Sequence, residues 1–448
     1  MLENLKHLVL TVTRDCNLNC TYCFEENKQL YRGEKMTPEC FAKFLDCFVR
    51  DQAKTTVKHP EPLEICFHGG EPLLAGIPLL QSFIDLARQK LNNVSFGLQT
   101  NGTLLDAGWQ EFAAKNNVSP SISLDGLDYR ANKFRFVNSH SFRQANPLRK
   151  KLNIAGVLAL LTKNNVTKMP AYMLYLFCKY KISTIRANVA EFVNADADCT
   201  KELTGKQLVE KFYIPVLRLI SFFPKICEHH IQFFLDKFVI SYLYTPGAET
   251  PDLPRFICEA KFCGAGNTII NLLPDGTLWA CQRSLGLPSY RMGNIYEETP
   301  DIFGIFSFNK LFALGCQMAK SVRAKGCDTC FAADICNYGC RAFGLLKTGG
   351  ASTIREDQAC DVYKYLKKYL FRDVYNHIIL YALLHRLPVC CEKRQVKIAF
   401  SPFAGTDFAL TRIRDRNIQV FPENGQIWLT IPRNKINRRN LFWLRRTK

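Results

Sequence analysis

Cys327, Cys330, Cys336 and Cys340 stand at the spacing C-x2-C-x5-C-x3-C, a pattern that 20 cysteines scattered through 448 residues would produce about 0.002 times by chance. A second pattern, C-x3-C-x2-C at Cys16, Cys20 and Cys23, has a random expectation of about 0.04. Ordered sulfur on this scale means a fold organised by metal or by disulfides, and the amino terminus separates the two. MLENLKHLVLTVTRDC carries an acid at Glu3, no basic stretch before a long apolar core and no small-residue cleavage site, so it does not read as a secretory signal. The expected compartment is the cytoplasm, where cysteines serve as metal ligands or catalysts far more than as structural disulfides.

The chain is too long for one compact core, and two or three domains are expected. At 47% hydrophobic and 22% charged residues it is globular rather than disordered. Its most apolar region, Ile214 to Tyr244, is interrupted by Arg218, Lys225, Glu228, His229, Asp236 and Lys237, so no membrane span is expected. The net charge of +19 favours an acidic partner. Much of the excess lies in Arg433 to Lys448, which holds no acid, and a solvated tail reads equally well there.

Short β-branched or apolar runs alternate with helical spacing from Met1 to Ala190. Six strands are expected at Leu8–Thr13, Leu63–His68, Val94–Thr100, Ser119–Leu124, Ile154–Leu160 and Ile182–Asn188, with covering helices such as Pro38–Ala53 and Ile77–Leu91. Strand–helix alternation means parallel α/β units, whose chemistry sits in loops at the carboxyl ends of the strands. TPGAETPDLP, from Thr245, reads as a connection, with a boundary near residue 250. Cys258 to Cys360 looks too irregular for a large apolar core and is expected to be organised by metal. Asp361–Leu387 has helical periodicity, and Val396–Pro432 reads as a β segment turning at Glu423–Gly425.

Cys16, Cys20 and Cys23 directly follow the first expected strand. A loop lets three thiolates converge on three irons of a four-iron cluster, leaving the fourth iron open. Structural zinc is the bland alternative, but no fourth Cys or His ligand follows before Cys40. With Tyr22 before its last cysteine, the triplet resembles the signature of radical S-adenosylmethionine (SAM) enzymes. Further motifs of that family fall at the expected strand ends: HGGEP at His68–Pro72, QTNG at Gln99–Gly102 and SISLDG at Ser121–Gly126. The resemblance implies that Gly69, Gly70 and Glu71 receive the methionyl ammonium, that Asn101, Ser123 and Asp125 serve the ribose and carboxylate, and that Tyr22 belongs to the cofactor site.

The downstream cysteines are similar to the SPASM extension of such enzymes, which carries two auxiliary four-iron clusters. Position by position, this implies Cys258, Cys263, Cys281 and Cys340 for one cluster and Cys327, Cys330, Cys336 and Cys360 for the other. The implied fold is α/β: a partial (β/α)6 barrel over 1–245, a cysteine-rich SPASM domain over 246–365, and a small C-terminal α+β extension over 366–448 that binds a leader peptide or a partner. The implied cofactors are three 4Fe-4S clusters and SAM.

The implied activity is that of an enzyme that generates a 5′-deoxyadenosyl radical and modifies a ribosomally made precursor peptide. The overall appearance is nearest the cyclophane and darobactin type, which installs carbon–carbon or ether cross-links. Thioether-forming and sulfatase-maturating enzymes are the alternatives. The latter group places an acidic base directly after the cysteine aligned with Cys281, where this chain has Gln282, and a neutral amide cannot accept a proton as a carboxylate does. No general base is identified. The expected partners are a precursor peptide with its leader and an electron donor such as flavodoxin or ferredoxin. Fifteen residues before Cys16 leave no room for an amino-terminal leader-binding domain, which directs attention to the basic carboxyl end. An iron–sulfur protein that binds nucleic acid, suggested by Phe442 and Trp443 within the basic tail, is the reading from another class.

Overall fold

The computed structural model describes residues 5–23, 33–53, 62–150, 153–189, 203–243, 263–297, 322, 325–327, 329–336, 340–350, 358–392, 394–400, 418–423, 426–438 and 440. Its centre is a ten-stranded sheet. β1 (His7–Thr13), β2 (Leu63–Gly69), β3 (Val94–Thr100), β4 (Val118–Ser123), β5 (Gly156–Leu161) and β6 (Thr184–Val189) lie side by side in sequence order and in parallel. These are the six expected strands, with ends displaced by at most two residues. β7 (Cys227–Glu228), a two-residue strand parallel to β6, was not foreseen, because it interrupts an apolar run that otherwise reads as helix.

The helices form because their apolar residues repeat at three and four positions. In the helix Pro38–Gln52, residues Cys40, Phe41, Phe44, Leu45 and Phe48 are buried. Phe41 meets Phe83 of the helix Ile77–Lys90 edge-on, with ring centroids 5.5 Å apart. The helix Ala107–Asn116 starts where Asp106 accepts from the Trp109 amide at 3.0 Å and stops at Asn117, whose φ of 55° is left-handed.

Past residue 250 the chain returns to this sheet. β8 (Ile269–Leu272) pairs in parallel with β1, placing Leu10 opposite Leu272, and β9 (Thr277–Trp279) and β10 (Arg291–Asn294) continue antiparallel beyond it. Ile270, Leu272, Leu278, Ala280, Tyr290 and Met292 join the main apolar core. The expectation that this cysteine-rich segment has little apolar core is thereby corrected: TIINLLP is a buried strand in its own right, ended by the Asp275–Gly276 turn.

The helical stretch expected over Asp361–Leu387 is two helices, Gln358–Arg372 and Val374–Leu384, broken at Asp373. The β segment is a separate antiparallel sheet of β11 (Val389–Cys391), β12 (Gln395–Phe400), β13 (Gln419–Glu423) and β14 (Gln426–Pro432), in the order β11-β12-β14-β13. Glu423 pairs with Gln426, as the expected turn requires, although Gly425 itself lies outside the described residues. So do the boundary near residue 250, Cys258 and most of the basic tail. Among the described residues no helix is long and apolar enough to cross a membrane.

Candidate functional site

The three cysteines of the first motif sit half-buried in the loop that leaves β1. Asp15 starts that loop by accepting from the Cys16 amide at 2.8 Å, the Leu18 amide lies 3.4 Å from Cys16 Sγ, and the Cys23 amide donates to the Cys20 carbonyl at 3.1 Å. Main-chain N–H groups directed at a thiolate favour its charged, metal-binding form.

The loop after β2 is laid against this one by its glycines. The Gly70 amide donates to the Thr13 carbonyl at 2.9 Å and the Glu71 amide to the Asp15 carbonyl at 2.8 Å. A Cβ at Gly69, whose φ is +138°, would stand 2.0 Å from the Thr13 oxygen, and one at Gly70 would stand 2.2 Å from the Asp15 oxygen. Only glycine permits that approach.

Glu71 is fully buried and ties in a third loop. Its Oε1 accepts from the Leu73 amide at 3.1 Å and from Thr100 Oγ1 at 2.7 Å, and its Oε2 accepts from the Asn101 amide at 2.7 Å. Asn101 Nδ2 in turn donates to Asn17 Oδ1 at 2.8 Å and lies 4.0 Å from Cys16 Sγ. Burial pushes the Glu71 carboxyl up from 4.5 to about 7 against the pull of these donors. For an acid with a raised folded pKa, the unfolded state loses its proton first, so stability falls as pH climbs from 4.5 through about 7. Chemical unfolding of Glu71→Gln beside the parent protein should show the variant gaining relative stability over that window, by up to about 3 kcal/mol; a pH-independent difference would contradict the raised pKa.

Ser123, half-buried at the end of β4, accepts from Gln99 Nε2 at 2.9 Å. Asp125 is fully buried and holds several groups at once. Arg135 Nε donates to its Oδ2 at 3.0 Å, Arg135 Nη2 to its Oδ1 at 3.2 Å and the Leu160 amide to Oδ1 at 2.8 Å, while the Tyr22 hydroxyl donates to Oδ2. The Arg135 guanidinium also lies 5.3 Å from the centre of the Tyr22 ring. Burial opposes the charge of Arg135, but Asp125, with Tyr22 and Cys20, together more than offset this and keep the guanidinium firmly protonated. Burial likewise holds the Tyr22 phenol above its ordinary range.

Sequence reasoning passed over Arg135, Asn132 and Asn165. The Asn132 side chain accepts from the Asp125 amide at 2.8 Å, and Asn165 Nδ2 donates to the Asp125 carbonyl at 2.9 Å. An arginine between two phenylalanines, Phe134 and Phe136, was the available signal, since a charge in an apolar run needs a buried partner.

Of the downstream cysteines expected as ligands, Cys263, Cys281, Cys330 and Cys340 pack against the main core. Burial pushes the Cys340 thiol well up, with Arg283 opposing and the Cys263 and Cys281 sulfurs adding to it. Cys258, their expected companion, lies outside the described residues. In the other set, the Cys330 amide donates to the Cys327 carbonyl at 3.3 Å and Cys336 closes the short helix Ala333–Cys336. Cys360 and Cys330 both act on Lys364, whose charge Cys360 chiefly favours.

Among the described residues no three His, Cys, Asp or Glu side chains are close enough to share one metal ion. A single tetrahedral ion needs its sulfurs within about 4 Å of each other, whereas a cluster with an iron at each cysteine takes a wider set. Of the arginines in the basic carboxyl end, Arg433 donates to the Glu392 carbonyl at 3.3 Å, Arg438 is exposed and Arg439 is outside the described residues.

A model of the radical SAM superfamily matches residues 10–150, the span that holds the cysteine triplet, the Gly-Gly-Glu loop and the Asp125–Arg135 pair. The chain is similar to the cysteine-type anaerobic sulfatase-maturating enzyme of Clostridium novyi (strain NT), at 25% identity over 354 residues, covering 76% of this chain and 88% of that protein. In fold it resembles native anSMEcpe with bound AdoMet and Cp18Cys peptide, at a TM-score of 0.60 and 20% identity over 83% of this chain and 98% of that one. It also resembles Streptococcus suis SuiB bound to the precursor peptide SuiA, at a TM-score of 0.51 and 17% identity over 80% and 76% of the two chains. Residues 10–150 thus form a radical SAM domain, and the chain is an enzyme built on it.

Proposed function

We propose that this enzyme modifies a ribosomally made peptide, holding a four-iron cluster on Cys16, Cys20 and Cys23 with SAM at the cluster's open iron, and that the modification is a cross-link of the cyclophane type. The observation that carries the cofactor assignment is the mutual docking of three strand-end loops around the triplet, through Gly69, Gly70, Glu71 and Asn101. The donor set fits: three half-buried thiols on one loop, with amide donors beside Cys16. When bound, the cluster and SAM supply reductive cleavage of the sulfonium and abstraction of a hydrogen atom. The protein orients and excludes water. Glu71 and Asp125, expected at SAM, are fully buried with their carboxylates taken up inside the protein, so Glu71 holds the β3 loop in place and Asp125 fixes Tyr22 behind the cysteines. Ser123 and Asn101 present polar groups to the ribose and carboxylate.

Two auxiliary clusters, on Cys258, Cys263, Cys281 and Cys340 and on Cys327, Cys330, Cys336 and Cys360, would relay an electron out of the substrate to an acceptor. The packing of Cys263, Cys281 and Cys340 against one apolar core supports the first. The first electron would come from a flavodoxin or ferredoxin. Peptides are bound by two of the proteins this fold resembles, and that likeness supports a peptide substrate here.

A sulfatase-maturating activity is the second reading, favoured by similarity across three quarters of the chain to an enzyme so named. Gln282 separates the two: it stands half-buried at the start of the turn after Cys281 and cannot serve as a base. Reconstituted enzyme with SAM and a reductant should therefore remove two hydrogens from a precursor peptide without creating an aldehyde, read by mass spectrometry with hydrazine trapping. A trapped aldehyde on a sulfatase-derived peptide would establish the second reading instead. Cys330→Ala should still release 5′-deoxyadenosine while losing the peptide product; full product from a folded Cys330→Ala enzyme would remove the relay role.

A further inference from the structure

The central sheet has two unlike faces. Leu8 and Leu10 of β1, Ile185 and Ala187 of β6, and Leu272 and Leu278 of β8 and β9 are buried on the helix-covered side. Strand residues alternate sides. Thr11, Arg186, Asn271 and Trp279 therefore belong to the other face, and three observations agree: Thr11 Oγ1 donates to Asn271 Oδ1 at 2.8 Å, Asn271 is in register with Trp279, and Arg186 is in register with the half-buried Leu158. Thr11 is in register with His68, so the band continues across β2 beside the cysteine loop.

This face carries buried donors without acceptors. Arg186 Nε, Asn271 Nδ2 and Trp279 Nε1 have no hydrogen-bond partner among the described residues. A buried donor left alone costs about 1–3 kcal/mol. Asn271 and Trp279 stand on neighbouring strands and Arg186 on β6, with β1 to β5 between, so this face calls for an extended ligand rich in oxygen acceptors. Arg186 adds a positive charge. Glu64, the acid on β2 that shares this face, is paired with His7 at 2.8 Å, and Asp125 is held by Arg135. His68 accepts from the Gly69 amide at 2.7 Å and burial lowers its pKa to about 4, so it stays neutral. Arg291, in register with Trp279, is paired with Glu297 at 3.0 Å, which leaves Arg186 as the cation of the band that no acid among the described residues answers.

We propose that Arg186, Asn271 and Trp279 form a binding site for an acidic peptide segment, the guanidinium receiving a side-chain carboxylate and the Asn271 and Trp279 N–H groups receiving main-chain carbonyl oxygens. The site rests on the peptide-modifying reading and adds to it a substrate class: a segment with Asp or Glu near the modified residue. The methionyl carboxylate of SAM has the same chemistry as the side chain, and the test separates the two.

A random-sequence peptide pool displayed on its encoding RNA is selected against the reconstituted full-length enzyme with SAM. The expected result is enrichment of Asp or Glu at one position, binding at least about tenfold weaker to Arg186→Gln, and a switch to Lys or Arg when the pool is selected on Arg186→Glu. SAM affinity of Arg186→Gln should equal that of the parent. Trp279→Phe, which deletes the N–H and keeps the ring's bulk, should weaken the same peptides and serves if an Arg186 variant does not fold. Enriched peptides without an acid, or with equal affinity for Arg186→Gln, would overturn the site and leave the peptide reading standing. Loss of SAM affinity with peptide binding unchanged would give Arg186 to SAM and overturn it too. A parent enzyme that cleaves SAM but retains no peptide would overturn the peptide reading, and this site with it.

Discussion

An enzyme with Cys16, Cys20 and Cys23 all changed to alanine is expected to cleave no SAM and to lose about a third of its iron, near four of about twelve atoms per chain. The loss of cleavage is total because all three sulfurs come from one loop, and the nearest other described thiol in sequence, Cys40, is buried within the helix Pro38–Gln52. The remaining iron should stay, because the downstream cysteines hang on β8, β9 and the helices after residue 333, held by their own apolar contacts. Anaerobic iron analysis and 5′-deoxyadenosine release check both halves. Parent protein with only about four irons would remove the auxiliary assignment, and cleavage by the triple variant would remove the triplet's.

Asp125→Ala should cost about 3–5 kcal/mol of stability, because it strands the Arg135 guanidinium where its side chain is only 7% exposed. The Tyr22 hydroxyl and the Leu160 amide lose their acceptor in the same step. Replacing both partners, in Asp125→Ala/Arg135→Met, should recover part of the loss, since the uncompensated charge is then gone. Tyr22 lies between Cys20 and Cys23, so the single variant should also hold less iron on the triplet after reconstitution. Denaturant unfolding and iron content decide. A cost below about 1 kcal/mol, the range of exposed ion pairs, would mean that the pair carries no such burden.

The motif residues were legible in sequence, but the partners that hold them were not. HGGEP marks a glycine-permitted close approach, yet nothing local says that Glu71 spends its carboxylate on Leu73, Thr100 and Asn101. SISLDG marks a loop with an acid, yet its arginine arrives from ten residues on and its tyrosine from 103 residues back. The same limit hid β8: TIINLLP has strand character, but only the fold reveals that it pairs with β1 rather than standing in a domain of its own.

By itself the sequence determined the six parallel strands, the covering helices and the two cysteine patterns, because alternation, helical spacing and ligand spacing act over a few residues and survive in a linear text. Tertiary structure alone decided which loops lean on the triplet, that Asp125 is buried in an ion pair, and that Asn271 stands beside Thr11 from 260 residues away. Those contacts depend on chain segments brought together by burial of the helix-covered face. Hydrophobic burial is non-directional, so it selects the assembly as a whole and leaves no mark of each pairing in the residues concerned.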